Sequence, residues 1–270
     1  MNLHFWNVHK CCAKVDLTST EPTVDLSEVT FFSPFAVVYL GMFLRYFSGR
    51  GIGLHLVPPN ARDARNYLAR QNFWERFNFD ENTIREERLR RLTTSTSLND
   101  IVDIEKHDFI ADEIGDELLR VLTNCDCQLP ANKVALIVSE LVDNFAQHSG
   151  KTLAAFTFQY YPRKENLLIA IADCGVGIRK SLSSNPKYAS LANKAHYVAV
   201  LEAFKAGVSR KAEGGTGFTD ILEGVSDLGG QLRLATGNEY VIVRKGKVSV
   251  GDMTCDLPGV QIEIFLPERR

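Results

Sequence analysis

Residues 167–178 read LLIAIADCGVGI, an almost unbroken apolar run that ends in an aspartate, Asp173, and two glycines, Gly175 and Gly177. A short apolar run of this length reads as a buried strand. A carboxylate at the mouth of such a strand loses hydration and needs hydrogen-bond donors in exchange. The exocyclic amine of adenine is a suitable donor, and the glycines let the main chain turn and approach a flat base with no Cβ in between. The plainer alternative is a strand followed by a simple turn.

Two further stretches give this one its context. Upstream, ANKVALIVSELVDNFAQHS (131–149) has the helical period. At about 100° per residue, Val134, Ile137, Val138, Leu141 and Phe145 share one apolar arc. Glu140, Asn144 and His148 recur at steps of four and run as a polar stripe along the border of that arc. Such a stripe is either a solvated flank or one wall of a cleft. Downstream, SRKAEGGTGFTDI (209–221) sets Arg210 and Lys211 before Gly214, Gly215 and Gly217, after which a helix begins. Glycines allow successive backbone N–H groups to converge on a phosphate, and a helix start adds a favourable dipole.

The chain around these motifs alternates strands and helices. Helices are expected at 108–122 and roughly 218–228, strands at LAAFTFQYY, ENLLIAIAD, GGQLRLATG, EYVIVRKG and VQIEIFLP, and a basic, loop-rich stretch over 178–213. In the first half, VDLSEVTFF (24–32) reads as a strand, and SPF opens an apolar helix with Ser33 as N-cap and Pro34 in the first turn. IGLHLV reads as a second strand, and PPNARDARNYLARQNFWERF as a second helix. Residues 80–107 turn charged and then Ser/Thr-rich, which marks a boundary. The expected division is 1–100 and 101–270.

The order ExxxN, DxGxG, GxG, with each motif on its helix, strand end or loop, resembles the GHKL superfamily of ATPases, and the likeness covers roughly 108–270. It implies an α/β (α+β) fold, an α/β sandwich of the Bergerat type, that binds ATP and Mg²⁺. By that likeness Glu140 is the general base or orients water, and Asn144 offers an oxygen to Mg²⁺. Asp173 binds the adenine amine, Gly175 and Gly177 shape the base pocket, and Gly215 and Gly217, with Arg210 and Lys211 before them, hold phosphates under a lid made from 178–213. The closest type is the anti-sigma-factor kinase, which implies a protein partner and phosphoryl transfer or hydrolysis. An ATP-gated, chaperone-like ATPase and a nucleotide-binding scaffold without turnover remain open. Two positions depart from the superfamily pattern: Val260 stands where a threonine is usual, and Phe218 where a leucine is.

Residues 24–79 resemble the STAS family in element order. There Ser33 falls near the aspartate of that family and Pro34 where its phosphorylated hydroxyl would be, so Ser33 reads as an N-cap rather than a phosphoryl acceptor. His148 is either functional or a helix-terminal residue satisfied by local carbonyls.

Composition excludes several classes. The chain has 270 residues, 45% hydrophobic and 24% charged, and a formal net charge of −2, which gives no general attraction to nucleic acid or anionic membranes. No window reaches the length of a membrane span, and the N-terminus lacks a signal pattern, so the expectation is cytoplasmic. Six cysteines without paired CxxC motifs read as reduced thiols. A homodimer is left open.

Overall fold

The computed structural model describes residues 1–77, 99, 101–104, 110–148, 154–205 and 217–268; the side chains of residues 110, 147, 148 and 217 are outside that set. The protein is mixed α/β. At its centre is a five-stranded sheet built from β5 (Val102–Ile104), β6 (Ala154–Tyr161), β7 (Asn166–Asp173), β8 (Gln231–Arg244) and β9 (Lys247–Pro267). Their order is β5-β6-β7-β9-β8, and every neighbouring pair is antiparallel.

Both faces of this sheet are covered, and β7 shows it most clearly. Leu167, Ile169 and Ile171 point into a core shared with helices α5 (Ile110–Asn124), α6 (Ala131–His148) and α9 (Gly217–Asp227). Ala170 and Ala172 alternate onto the opposite face, where Ala155 and Ala235 join them. A strand buried on both sides must read as continuously apolar. The alanines have a separate consequence: they leave room for a bulky helix to approach the sheet.

That helix is α2 (Pro34–Ser48), in which every residue from Pro34 to Leu44 is buried, including Tyr39, Met42 and Phe43. It packs on β6, β7 and β9. Its start is capped as expected, with Ser33 Oγ accepting from the Ala36 N–H at 3.3 Å and Pro34 in the first turn. Arg45 leaves its last turn to pair with Asp103 of β5 at 2.8 Å, and Arg76 meets the same carboxylate at 3.1 Å. The first 77 residues therefore share one hydrophobic cluster with the sheet. The expected boundary over residues 80–107 falls largely outside the described residues.

Several elements differ from expectation. The strand expected over 24–32 is interrupted: β2 (Thr23–Asp25) pairs in parallel with β4 (His55–Val57), and β3 (Phe31–Phe32) pairs in parallel with β1 (Asn2–Leu3). The amide of Val29 turns back to the Leu26 carbonyl and ends the first piece. The second helix divides into α3 (Arg62–Arg70) and α4 (Phe73–Arg76), because Asn72 takes the left-handed conformation, φ 59°. GGQLRLATG and EYVIVRKG form one strand, β8, which continues through a bulge at Gly237. α1 (Val8–Cys12) packs on β9. All six cysteines are free. No helix among the described residues is long and apolar enough to cross a membrane.

Gly41 of α2 carries a specific contact. The Phe77 ring rests on its bare Cα, where a Cβ would overlap three ring atoms. Phe73 at 5.0 Å and the Arg45 guanidinium at 4.8 Å hold that ring in place. Gly41→Ala gains up to about 1 kcal/mol of helix propensity, yet overpacking costs about 1–3 kcal/mol. The expected result is a less stable protein in thermal or urea unfolding; an unchanged or higher stability would show that Phe77 moves freely.

Candidate functional site

Three elements meet at one end of the sheet, and strand register shows how. Asp173, the last residue of β7, pairs with Ala154, the first residue of β6. Six residue steps separate Ala154 from His148, the end of α6, so the C-terminal turns of α6 must lie at the Asp173 end; six steps span at most about 20 Å. α9 arrives from the other direction. β8 begins at Gln231, opposite Phe265, which in turn pairs with Leu168, at the far end of β7. The 11 residues of α9 rise roughly 16 Å, close to the length of β7 from Leu168 to Asp173. Its N-terminus, Gly217, is thus returned to the Asp173 end.

α6 and α9 run antiparallel in a register fixed by their contacts. Lys133 reaches Asp227 at 3.5 Å. Gly224 faces Ile137, whose Cγ1 lies 2.8 Å from where a Cβ would stand. One turn further along α6 is Glu140, and one turn back along α9 is Asp220. Burial holds the Glu140 carboxyl above its usual range, and the charges of Asp220 and then Asp143 raise it further. The next turn brings Asn144 level with the start of α9. The Nδ2 of Asn144 is shielded from solvent and has no hydrogen-bond partner among the described residues.

At the strand ends the floor is made of glycines. Asp173 is buried, and its carboxylate accepts from the backbone N–H groups of Gly175 and Val260. Burial outweighs these two donors and pushes the Asp173 pKa up to about 7. The carboxylate presses against Gly259 of β9, φ 89°, where a Cβ would overlap both the main-chain oxygen and Oδ1 of Asp173. Gln261 fixes the same corner, donating to the carbonyls of Asp173 at 3.0 Å and Pro258 at 2.9 Å. Thr236 of β8 donates to the Gly259 carbonyl at 2.7 Å. Gly177, φ 72°, stands over this pair, 3.3 Å separating its Cβ position from both Thr236 Oγ1 and the Gly259 oxygen.

The sequence candidates divide accordingly. Asp173, Gly175 and Gly177 form one corner, and Glu140, Asn144 and the start of α9 at Gly217 form another, both at the same end of the sheet. Arg210, Lys211 and Gly215 lie outside the described residues, as does the side chain of His148. The stretch 178–213, expected as a loop-rich lid, is helical as far as it is described: α7 (Gly177–Ser183), a 3₁₀ turn at Pro186–Asn193 and α8 (His196–Ala203). Residues 206–216 are outside that description. Val260 contributes a backbone N–H rather than a hydroxyl, and Thr236 sets a hydroxyl on the neighbouring Gly259 carbonyl.

Sequence reasoning passed over Gly259, Thr236 and Asp220. Only the pairing of β9 with β7 and β8, and the packing of α6 on α9, bring these residues to the motifs. For Asp220 the available signal is an acidic residue in the first turn of a helix that follows glycines.

The residues fit a nucleotide in two respects. A buried, under-supplied carboxylate beside a glycine floor suits a flat base that carries an N–H donor. The unpartnered Nδ2–H of Asn144, level with a helix start, suits a phosphate oxygen, and the oxygen of the same amide is the hard kind of ligand that Mg²⁺ takes. A separate cavity of about 100 Å³ lies between α5 and the β5–β6 edge, lined by Asn99, Val102, Glu113, Ile114, Glu117 and Phe158, none of them a candidate residue. Among the described residues no cluster of His, Cys, Asp or Glu has the geometry of a metal site. Comparison with family models, curated proteins and solved structures finds no match.

Proposed function

We propose that the chain is an ATP-binding protein of the GHKL type, with Asp173 recognising the adenine amine and the α6–α9 corner handling phosphates and Mg²⁺. The observation that carries the reading is Asp173, a buried carboxylate with more acceptor capacity than its two backbone donors fill, seated on Gly259. The side-chain oxygen of Asn144 would hold Mg²⁺, which would supply charge neutralisation at the phosphates. Glu140 would orient the attacking group and take its proton, since phosphoryl transfer depends chiefly on alignment and charge neutralisation. The first turn of α9 would turn toward phosphate oxygens the backbone N–H groups that have no partner within the helix.

Following ATP labelled at the γ-phosphate tests this reading and divides its branches. Label on a protein partner supports a protein kinase of the anti-sigma-factor type, and label released only as phosphate supports a conformational ATPase. Bound but unconverted ATP supports a scaffold. Absence of ATP binding with Mg²⁺ present would refute the reading.

Asp173 also fixes a pH dependence. A base amine that donates to the carboxylate stabilises its ionised form, so binding releases the proton held by the free site. Affinity for ATP should therefore rise as pH increases through about 7 and level off above it. The stability of the free protein should run the other way. Its acid form is favoured by folding, and this contribution is lost as pH rises from the ordinary carboxylate range through about 7. Asp173→Asn should weaken ATP by about 10- to 100-fold, the equivalent of roughly 1.5–3 kcal/mol for a hydrogen bond to a charged group. It should also flatten the pH profile measured by calorimetry. Unchanged affinity and an unchanged profile would remove Asp173 from the base site.

A further inference from the structure

β9 runs past the strand beside it. Its last pair with β7 is Gln261 with Ala172, so over residues 247–260 it has β8 on one side and, among the described residues, no strand on the other. Lys245 (φ 50°) and Gly246 (φ 70°) make the two-residue turn that joins β8 to β9, and Arg244 pairs with Lys247 across it. Such a turn makes this first pair a hydrogen-bonded one, and the ladder alternates from there. Val248, Val250 and Asp252 therefore turn their backbone N–H and C=O groups away from β8. The Thr254 N–H, two residues on, is met by His9 Nδ1 of α1 at 2.9 Å. α1 thus closes the root of this edge, and residues 247–252 continue beyond it, all exposed except the half-buried Gly251.

The side chains on this edge are sorted by polarity and by charge. Residues opposed across two antiparallel strands share a face. Val241 is opposed to Val250 and Val243 to Val248. Val241 is buried in the core that faces the helices, with Val243 packed against it. The same apolar row runs on into β9, where Val248 is 50% exposed and Val250 45%. Along the hairpin the charges separate: Arg244, Lys245 and Lys247 are exposed at the tip, and Asp252 and Asp256 are exposed toward the root. An edge with unpaired backbone groups and a β-branched row is a template for a further strand.

We propose that this edge docks a second copy of the chain, β9 against β9, antiparallel about a two-fold axis perpendicular to the sheet. The antiparallel sense lays the basic tip of each copy along the acidic root of the other, whereas a parallel one would set tip on tip. Outward-facing residues must meet outward-facing residues, which limits the registers. An axis at Ser249 opposes Val248 to the partner's Val250 and brings Asp252 level with the turn, between the partner's Lys245 and the partner's Lys247. An axis at Val248 or at Val250 would instead oppose a valine to Gly246 or to Asp252. One strand pair is a small contact, so the dimer is a weak, concentration-dependent one. It is independent of the nucleotide reading.

Sedimentation of the full chain from micromolar to near-millimolar concentration tests this. The parent should pass from monomer to dimer and stop there, and the amides of Val248 and Val250 should exchange hydrogen more slowly as the dimer forms. Val250→Pro removes an outward-facing N–H and leaves the β8 ladder its donors; it should weaken the dimer by about tenfold. Asp252→Lys gathers like charges at both ends of the contact and should weaken it by about tenfold at low salt. Adding Lys245→Glu and Lys247→Glu to Asp252→Lys reverses every charge and should restore the dimer, with melting curves to check that each monomer folds. A parent that stays monomeric leaves the edge to a strand of a different protein and overturns the proposal. Growth beyond a dimer overturns it too, as does a dimer that neither single variant weakens. A charge-reversed variant that fails to recover overturns the register, and the proposal with it.

Discussion

Gly259→Ala is expected to lower stability by roughly 2–6 kcal/mol, summing a strained backbone conformation and overpacking, and to remove nucleotide binding with it. At φ 89° an alanine is strained before any contact is counted, and its methyl group would meet the main-chain oxygen of Asp173, which no rotamer change can move aside. Relief requires β9 to shift away from β7 at the end of the sheet that holds the Asp173 carboxylate. Gly51 supplies the control: its φ is 77°, but a Cβ there meets nothing within 4 Å. Gly51→Ala isolates the backbone contribution, and the difference between the two melting temperatures reports the packing of Gly259 on Asp173. Equal melting temperatures for the two variants would mean that this packing is absent in solution.

The contrast between Gly259 and Gly175 also explains what was legible in the sequence. Gly175 and Gly177 follow an apolar run and an aspartate within five residues, so the local text announces a turn at a strand end. Gly259 lies in GVQIEIFLP, where alternation announces only a strand, and its role depends on which strand lies beside it. Helix α6 is similarly local: the arc of Val134, Ile137, Val138, Leu141 and Phe145 is buried as its period predicts. The face of small side chains formed by Ala155, Ala170, Ala172 and Ala235 comes from three strands, and the fit of α2 against it could not be read from any one of them. The break at Asn72 was missed for a different reason. PPNARDARNYLARQNFWERF keeps a helical pattern throughout, and the left-handed turn is a local conformation that the surrounding packing tolerates. The shared core of residues 1–77 with the sheet has the same origin. VDLSEVTFF reads as one strand, but the chain turns at Leu26–Val29 and forms two short parallel pairs among the described residues, and α2 packs on the larger sheet.

Glu140→Gln is expected to reduce ATP turnover by about 10²- to 10⁴-fold, the usual contribution of a positioned acid–base group, with ATP affinity kept or slightly improved. The amide preserves the size of the side chain and its place on α6 while removing the charge that would act on the attacking group. Loss of that charge also removes one member of a cluster in which Asp220 and Asp143 already disfavour the ionised form of Glu140. The variant should accordingly melt no lower than the parent. The two measurements separate a chemical role from a structural one. Lower turnover at unchanged stability and affinity assigns Glu140 to the transfer step, and equal hydrolysis would refute that assignment. A fall in turnover matched by a fall in melting temperature would instead make Glu140 part of the α6–α9 packing. Asp220→Asn completes the comparison, because it removes a neighbouring charge without removing the carboxylate itself. If Glu140 carries the chemistry, Asp220→Asn must cost far less turnover than Glu140→Gln; a larger loss would move the catalytic role from α6 to the first turn of α9.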